Sequence, residues 1–341
     1  MCAKCMICQE NEATKTNSHV IPSFLITTFT SYDGSGKRDT EVMFSISNNK
    51  DSVYTGRSVS DAKYESLFDM DNLTKERIHE ELSKNTVAKD FIFCPQCEKR
   101  LADLLESPYA QNQKTRKNID NDVPLFFWLS VVWRMSVSSD YGFSLGEDID
   151  NKLQLYLKSY FIQKEAHVSV EDTISYVPFR YKLLRCNDYC KANSGFCFAK
   201  FKDGILNLVI GNYILQVIFD LQSDFPNSTF FGAETFFAET TINHGTSQEV
   251  IMDLSVDEYK KIMDKFLPYA AHLKRIAIEK NLDTIWKQLG LLGIMPIELK
   301  KEFFEKYYDE KVKIGDRHQS KRFVEVLTPI LAKYFNIDSG S

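Results

Sequence analysis

The chain has 341 residues, 43% hydrophobic and 13% aromatic, with 25 Phe and 16 Tyr. That is enough apolar material for one large domain or two ordinary ones. A formal net charge of −5 excludes a surface that is basic throughout and leaves room only for local basic patches. The apolar run Val123–Val132 is shorter than the ~20 residues needed to cross a bilayer and is interrupted by Pro124 and Ser130. No membrane-spanning segment and no membrane partner are therefore expected. The first residues lack the apolar stretch of a signal peptide, so the expected location is cytoplasmic.

Cys5-Met6-Ile7-Cys8 opens the chain, and Ser18-His19-Val20-Ile21-Pro22 comes ten residues later. Residues 31–60 are polar and turn-rich, with alternation over Val42-Met43-Phe44-Ser45-Ile46, as in a hairpin. Residues 61–84 are charged and almost free of breakers, the pattern of a surface helix. Together, about 31–84 reads as an insertion. Phe91-Ile92-Phe93 reads as a short strand leading into Cys94-Pro95-Gln96-Cys97-Glu98, and Lys99–Tyr109 carries Leu101, Leu104 and Leu105 at helical spacing.

The polar stretch Gln111–Asp122 is the expected domain boundary, separating a module over 1–115 from a domain over 123–341. Pro124, suited to a first helical turn, starts an apolar helix through Val137, and 148–165 reads as an amphipathic helix. Strands are expected at Phe196–Phe201, Ile205–Ile210 and Tyr213–Phe219, with a hairpin turn at Gly211-Asn212. Helices are expected again at 255–280, 282–290, 296–308 and 317–335. The fold class is α+β: a small metal module in front of a larger domain of helices and antiparallel sheet.

Eight cysteines occur, at positions 2, 5, 8, 94, 97, 186, 190 and 197. In a reducing compartment paired cysteines suggest metal rather than disulfides. Two Cys-x-x-Cys pairs can give four thiolates to one tetrahedral zinc, each pair holding two sulfurs on one tight turn. Cys5/Cys8 with Cys94/Cys97 is the preferred set, with Cys2/Cys5 as the alternative first pair. Cys186, Cys190 and Cys197 lack a fourth ligand at good spacing and read as core thiols.

Cys5/Cys8, His19-Val20-Ile21-Pro22 and Cys94/Cys97 resemble, in order and residue type, the HNH or His-Me finger nucleases. The match looks closest to a bacterial subgroup with Ser-His in the first motif and Cys-x-x-Cys-Glu in the last, and it covers roughly residues 1–110. The resemblance implies a zinc-knuckle ββα-metal module that hydrolyses DNA phosphodiester bonds with a divalent cation, Mg²⁺ or Mn²⁺. It makes His19 the general base and Glu98 a ligand of that cation. Asp90, near the position of the family's middle Asn, would orient the imidazole and add a second carboxylate to the cation. Ser18 departs from the pattern, since an acid usually stands there. Stand-alone proteins of this kind resemble defence or mobile-element effectors.

The chemistry is coherent, because imidazole can take a proton from water near neutral pH and carboxylate oxygens suit hard cations. The alternative is a catalytically inactive zinc module that binds nucleic acid or protein; a protein partner or homo-oligomer is compatible with either reading. Basic islands at His272–Arg275 and at Lys313, Arg317, His318, Lys321 and Arg322 read first as solvated helix faces, with contact to a nucleic-acid backbone as the alternative. Arg134, inside the apolar helix, is expected to pair with a buried acid or carbonyl.

Overall fold

The helix Asp122–Ser138 is buried on every side, including its polar Ser130, Arg134 and Ser136. A helix that is apolar all round has to lie at the centre of a core. A computed structural model describes residues 3–33, 40–46, 51–56, 58–70, 88–115, 118–138, 141–189, 197–222, 225, 230–319 and 321–335. The chain divides into two units, one of residues 1–30 with 85–265 and one of residues 31–84 with 266–341.

The first unit is built around that central helix. Helix Glu147–Glu165 packs along it, with Tyr160 stacked on Phe126 at 4.0 Å between ring centroids. A five-stranded sheet supplies another part of the same core. Its strands are Cys197–Lys202, Ile205–Ile210, Tyr213–Ile218, Arg180–Arg185 and Met252–Asp253, in that spatial order. All neighbours are antiparallel except the last pair, which is parallel. Tyr213–Ile218 is buried along its whole length, and its Gln216 donates to Asn207 across the ladder at 3.0 Å. At the expected hairpin turn Gly211 takes φ 54°, and a Cβ there would meet the Phe29 ring at 2.8 Å. Both the conformation and the close approach require glycine.

One hydrophobic cluster runs from Cys5, Ile7, Val20 and Phe93 through Leu101, Tyr109 and the central helix to Leu206, Leu208 and Val217. The boundary expected at 111–122 therefore does not separate compact units. The cysteine-bearing segment is too small to bury its own apolar side chains and shares the core of the central helix and the sheet. The expected strand Phe91-Ile92-Phe93 is instead a bent segment, with Phe91 at φ 60° and exposed. Phe91 N–H donates to Lys15 O at 2.7 Å, Phe93 O accepts from Lys15 N–H, and Ile92 O accepts from Met6 N–H. The nearby strand is Ala88–Lys89, antiparallel to Ser18–His19.

In the second unit Val42–Ile46 pairs antiparallel with Asp51–Thr55, as the alternation suggested. Of the helix expected at 61–84 the structure shows Asp61–Leu67; residues 71–87 lie outside the described residues. Tyr64, Leu67 and Phe68 pack with Val53 and Val59. The expected helices at 255–280 and 282–290 are one helix, Val256–Gln288, with Pro268 inside it. Its later residues join Ile297–Tyr307 and Arg322–Tyr334 in a second core around Leu282, Trp286, Phe303 and Ile330. The insertion read at about 31–84 is tied into this unit. The buried Asp51 carboxylate accepts from Lys274 and from His318 Nδ1, the latter at 2.9 Å, and Asp316 accepts the Asp69 N–H at 2.7 Å. Among the described residues no helix is long and apolar enough to cross a membrane.

Candidate metal centre and the Ser18–Glu98 pair

The first Cys-x-x-Cys lies in a tight loop whose base is closed by the Lys4–Glu12 bridge and by the Cys5 N–H donating to Asn11 O at 2.8 Å. Gln9 takes the left-handed φ of 59° and its N–H donates to Cys5 O at 2.9 Å, turning the chain back. The second pair begins a helix, Pro95–Leu101. Cys94 is its N-cap residue, the sulfur accepting from the Cys97 N–H at 3.4 Å, and Pro95 fills the first turn. The two loops meet because Met6 N–H donates to Ile92 O and Lys15 N–H to Phe93 O, each at 3.0 Å.

The sulfurs of Cys5, Cys8, Cys94 and Cys97 all lie within 4.8 Å of one another, and all four residues are buried. Zn–S bonds of ~2.3 Å in a tetrahedron place sulfurs about 3.8 Å apart, and Cys8 Sγ to Cys94 Sγ is 3.9 Å. None of the four is in a disulfide. Four buried thiols this close could hold a metal ion such as zinc. Their electrostatics point the same way. A hydrogen bond from Cys97 holds the Cys5 thiol well below the ordinary range, while that bond, together with burial, pushes Cys97 up. Crowded sulfurs cannot all ionise without a cation. Cys186 and Cys197 join no such cluster among the described residues. Cys190, and Cys2 of the alternative first pair, lie outside them.

Ser18 and His19 form a two-residue strand paired with Lys89 and Ala88. Successive side chains of a strand face opposite ways. Ser18 is fully buried and His19 half-buried. Glu98 stands in the first turn of the helix capped by Cys94, with its carboxyl beside Ser18. Burial raises the Glu98 carboxyl above its ordinary range and Glu106 adds to this, while the Ser18 hydroxyl, Arg134 and Lys15 oppose it. The Ser18 hydroxyl is close enough to act on the carboxyl but makes no hydrogen bond of ordinary geometry. Among the described residues Ser18 Oγ and Glu98 Oε2 are both buried without a hydrogen-bond partner.

Arg134 stands behind this pair. Its Nη1 donates to His19 O at 2.9 Å and to Glu106 Oε1 at 2.7 Å, and its Nε donates to Ser130 O at 3.2 Å. The acid and carbonyl expected for it are thus Glu106 and His19. Glu106 ends a π-helical turn, Ala102–Glu106, in the continuous helical stretch that runs on from Glu98. The wider turn is a common device at functional positions. Asp90 is exposed, and its Oδ1 accepts the Asn17 N–H at 2.6 Å. It fixes the left-handed turn at Asn17, φ 56°, immediately before Ser18-His19. Four members of the basic islands in the second unit are engaged internally. Lys313 donates to Glu65 O, Arg322 donates to Lys306 O, and Lys274 and His318 bind Asp51.

The structure thus joins the cysteine pairs, brings Ser18 to Glu98 and sets Asp90 at the turn before His19. Glu106 left no signal in the sequence, because its role depends on the π-turn and on a partner 28 residues away. Comparison with family models, with curated proteins and with solved structures returns no match.

Proposed function

We propose that the first unit carries an HNH-type phosphodiesterase site acting on DNA, with the four thiols holding a structural zinc and Glu98 serving a divalent cation, Mg²⁺ or Mn²⁺. The observation that carries this reading is the buried, unpartnered pair Ser18 Oγ and Glu98 Oε2 beside the four-thiol cluster. Buried polar atoms without partners are uncommon, and two hard oxygen donors side by side suit such a cation. A bound divalent cation would supply charge stabilisation at the scissile phosphate. His19 would take the proton from the attacking water. Arg134 would hold the His19 backbone in place, and Asp90 would hold the turn before it. A role as a defence or mobile-element effector belongs to this same reading.

Two observations favour a second reading, a zinc module that binds nucleic acid or protein without catalysis. The Asp90 carboxylate is already engaged by the Asn17 N–H and is exposed, and Ser18 brings no charge to a cation. Nicking of supercoiled plasmid with Mg²⁺ or Mn²⁺ separates the two. The first reading expects wild-type cleavage that His19→Ala and Glu98→Ala each abolish while zinc content is retained. Equal background cleavage in all three proteins removes it.

A further inference from the structure

A second carboxylate of the first unit is withdrawn from water without an ion-pair partner among the described residues. Glu249 Oε1 accepts from Tyr181 Oη at 2.6 Å and from Trp128 Nε1 at 3.2 Å, and Oε2 accepts from Tyr109 Oη at 3.1 Å. Trp128 Nε1 also donates to Tyr109 Oη at 3.0 Å. Three donors converge, and a carboxylate has about four acceptor positions, so one is left. Arg185, the basic group acting on Glu249 from a distance, is itself paired with Asp253 at 2.9 Å.

Glu249 also lines a cavity of about 50 Å³ with the side-chain amides Asn112, Asn121 and Gln248 and the apolar walls Ile119 and Ile251. A single water needs about 10–15 Å³ of such space, so the cavity admits a small ion or an ammonium group and excludes a nucleotide. Among the described residues the lining holds a single carboxylate, whereas divalent cations favour several. A neutral amide lining with one negative charge matches a single positive charge.

We propose that this cavity binds a small monovalent cation, either a free inorganic ion or the ammonium end of a primary amine, with Glu249 as its counter-charge. The site is independent of the phosphodiesterase reading and lies on other residues. It is also pH-dependent. Burial raises the Glu249 carboxyl to about 7 against the opposing bonds from Tyr181, Tyr109 and Trp128 and the charge of Arg185. The facing Tyr109, Tyr181 and Tyr213 are all pushed above the usual phenol range by burial and stay neutral. With Glu249 ionised in about one molecule in ten at pH 6 and nine in ten at pH 8, apparent affinity at pH 6 should be about tenfold weaker than at pH 8.

The test titrates potassium chloride, ammonium chloride, methylammonium chloride and magnesium chloride into the full chain at constant ionic strength, set with N-methylglucamine chloride. Intrinsic fluorescence, to which Trp128 contributes, and melting temperature are both read. The expected result is a saturable response to at least one monovalent cation, about tenfold tighter at pH 8 than at pH 6, and lost in Glu249→Gln. Potassium against methylammonium separates an inorganic ion from an amine. Asn121→Leu fills the cavity and leaves Glu249 in place, so it keeps the test open should Glu249→Gln fail to fold; it too should lose the response. No saturable response to any monovalent cation, a preference for magnesium, or a response that survives a folded variant overturns the proposal.

Discussion

Glu98 and Glu249 are carboxylates of the same unit, both withdrawn from water, and the fold treats them in opposite ways. Glu249 is held by three donors from three elements, while Glu98 Oε2 has none and stands beside an equally unpartnered Ser18 Oγ. An unsatisfied buried polar atom costs about 1–3 kcal/mol. A network that satisfies its carboxylate orders the core, whereas an oxygen pair left unsatisfied is retained most readily where something else completes it. Burial alone therefore does not decide what an acid does; the donors around it do, leaving Glu249 one acceptor position and Glu98 Oε2 wholly unsatisfied among the described residues.

The largest effect expected is at the thiols that support Glu98. Cys97→Ser should reduce bound zinc from one equivalent towards none and abolish cooperative unfolding of the first unit, because metal binding of about 10 kcal/mol or more is coupled to folding. Metal analysis and calorimetry check this. Retention of a full equivalent of zinc would mean that the four sulfurs are not its ligands.

Arg134→Met comes next. It removes the cation between His19 O and Glu106, leaving a partly buried acid, at a cost of about 3 kcal/mol in denaturant unfolding. Glu106→Gln keeps a hydrogen-bond acceptor and should cost less. Equal losses would show that charge, and not the hydrogen bond, is what the pair contributes.

The Glu249 network predicts a pH dependence. Its carboxyl is raised from 4.5 to about 7, so the folded chain holds the proton more tightly than the unfolded one. The resulting stabilisation is complete below the unfolded value of 4.5. It is lost as pH rises through the folded value of about 7, with no further change above that. The total is on the order of 3 kcal/mol, and Glu249→Gln should flatten the profile over that window. An unchanged profile in the variant would assign the dependence to other groups.

Ser18→Ala should have the smallest effect on stability, neutral or stabilising by about 1 kcal/mol, since it removes a buried hydroxyl without a partner. Under the phosphodiesterase reading it also weakens the divalent-cation dependence of nicking. Full cleavage at unchanged Mg²⁺ demand would take Ser18 out of the site.

Much of this architecture was legible in the chain. The Cys-x-x-Cys spacing announced the four-thiol cluster, because each pair fixes two sulfurs through local turn geometry alone. The central helix and the three hairpin strands came from continuous apolar runs bounded by Pro124 and by Gly211-Asn212. Arg134, in a run with nothing else charged, signalled a buried partner. Phe91-Ile92-Phe93 misled, since three apolar residues also suit a bend that pins two loops together.

What the sequence determined by itself were the features carried by short spacing: the paired thiols, the helical spacing from Lys99 and the alternation of the strands. Tertiary structure alone decided the rest. It placed the module in the core of the sheet-bearing unit, grouped residues 31–84 with the C-terminal helices, and gathered Tyr109, Trp128 and Tyr181 around Glu249. Those outcomes depend on long-range burial and on donors that meet only after folding, which no local pattern encodes.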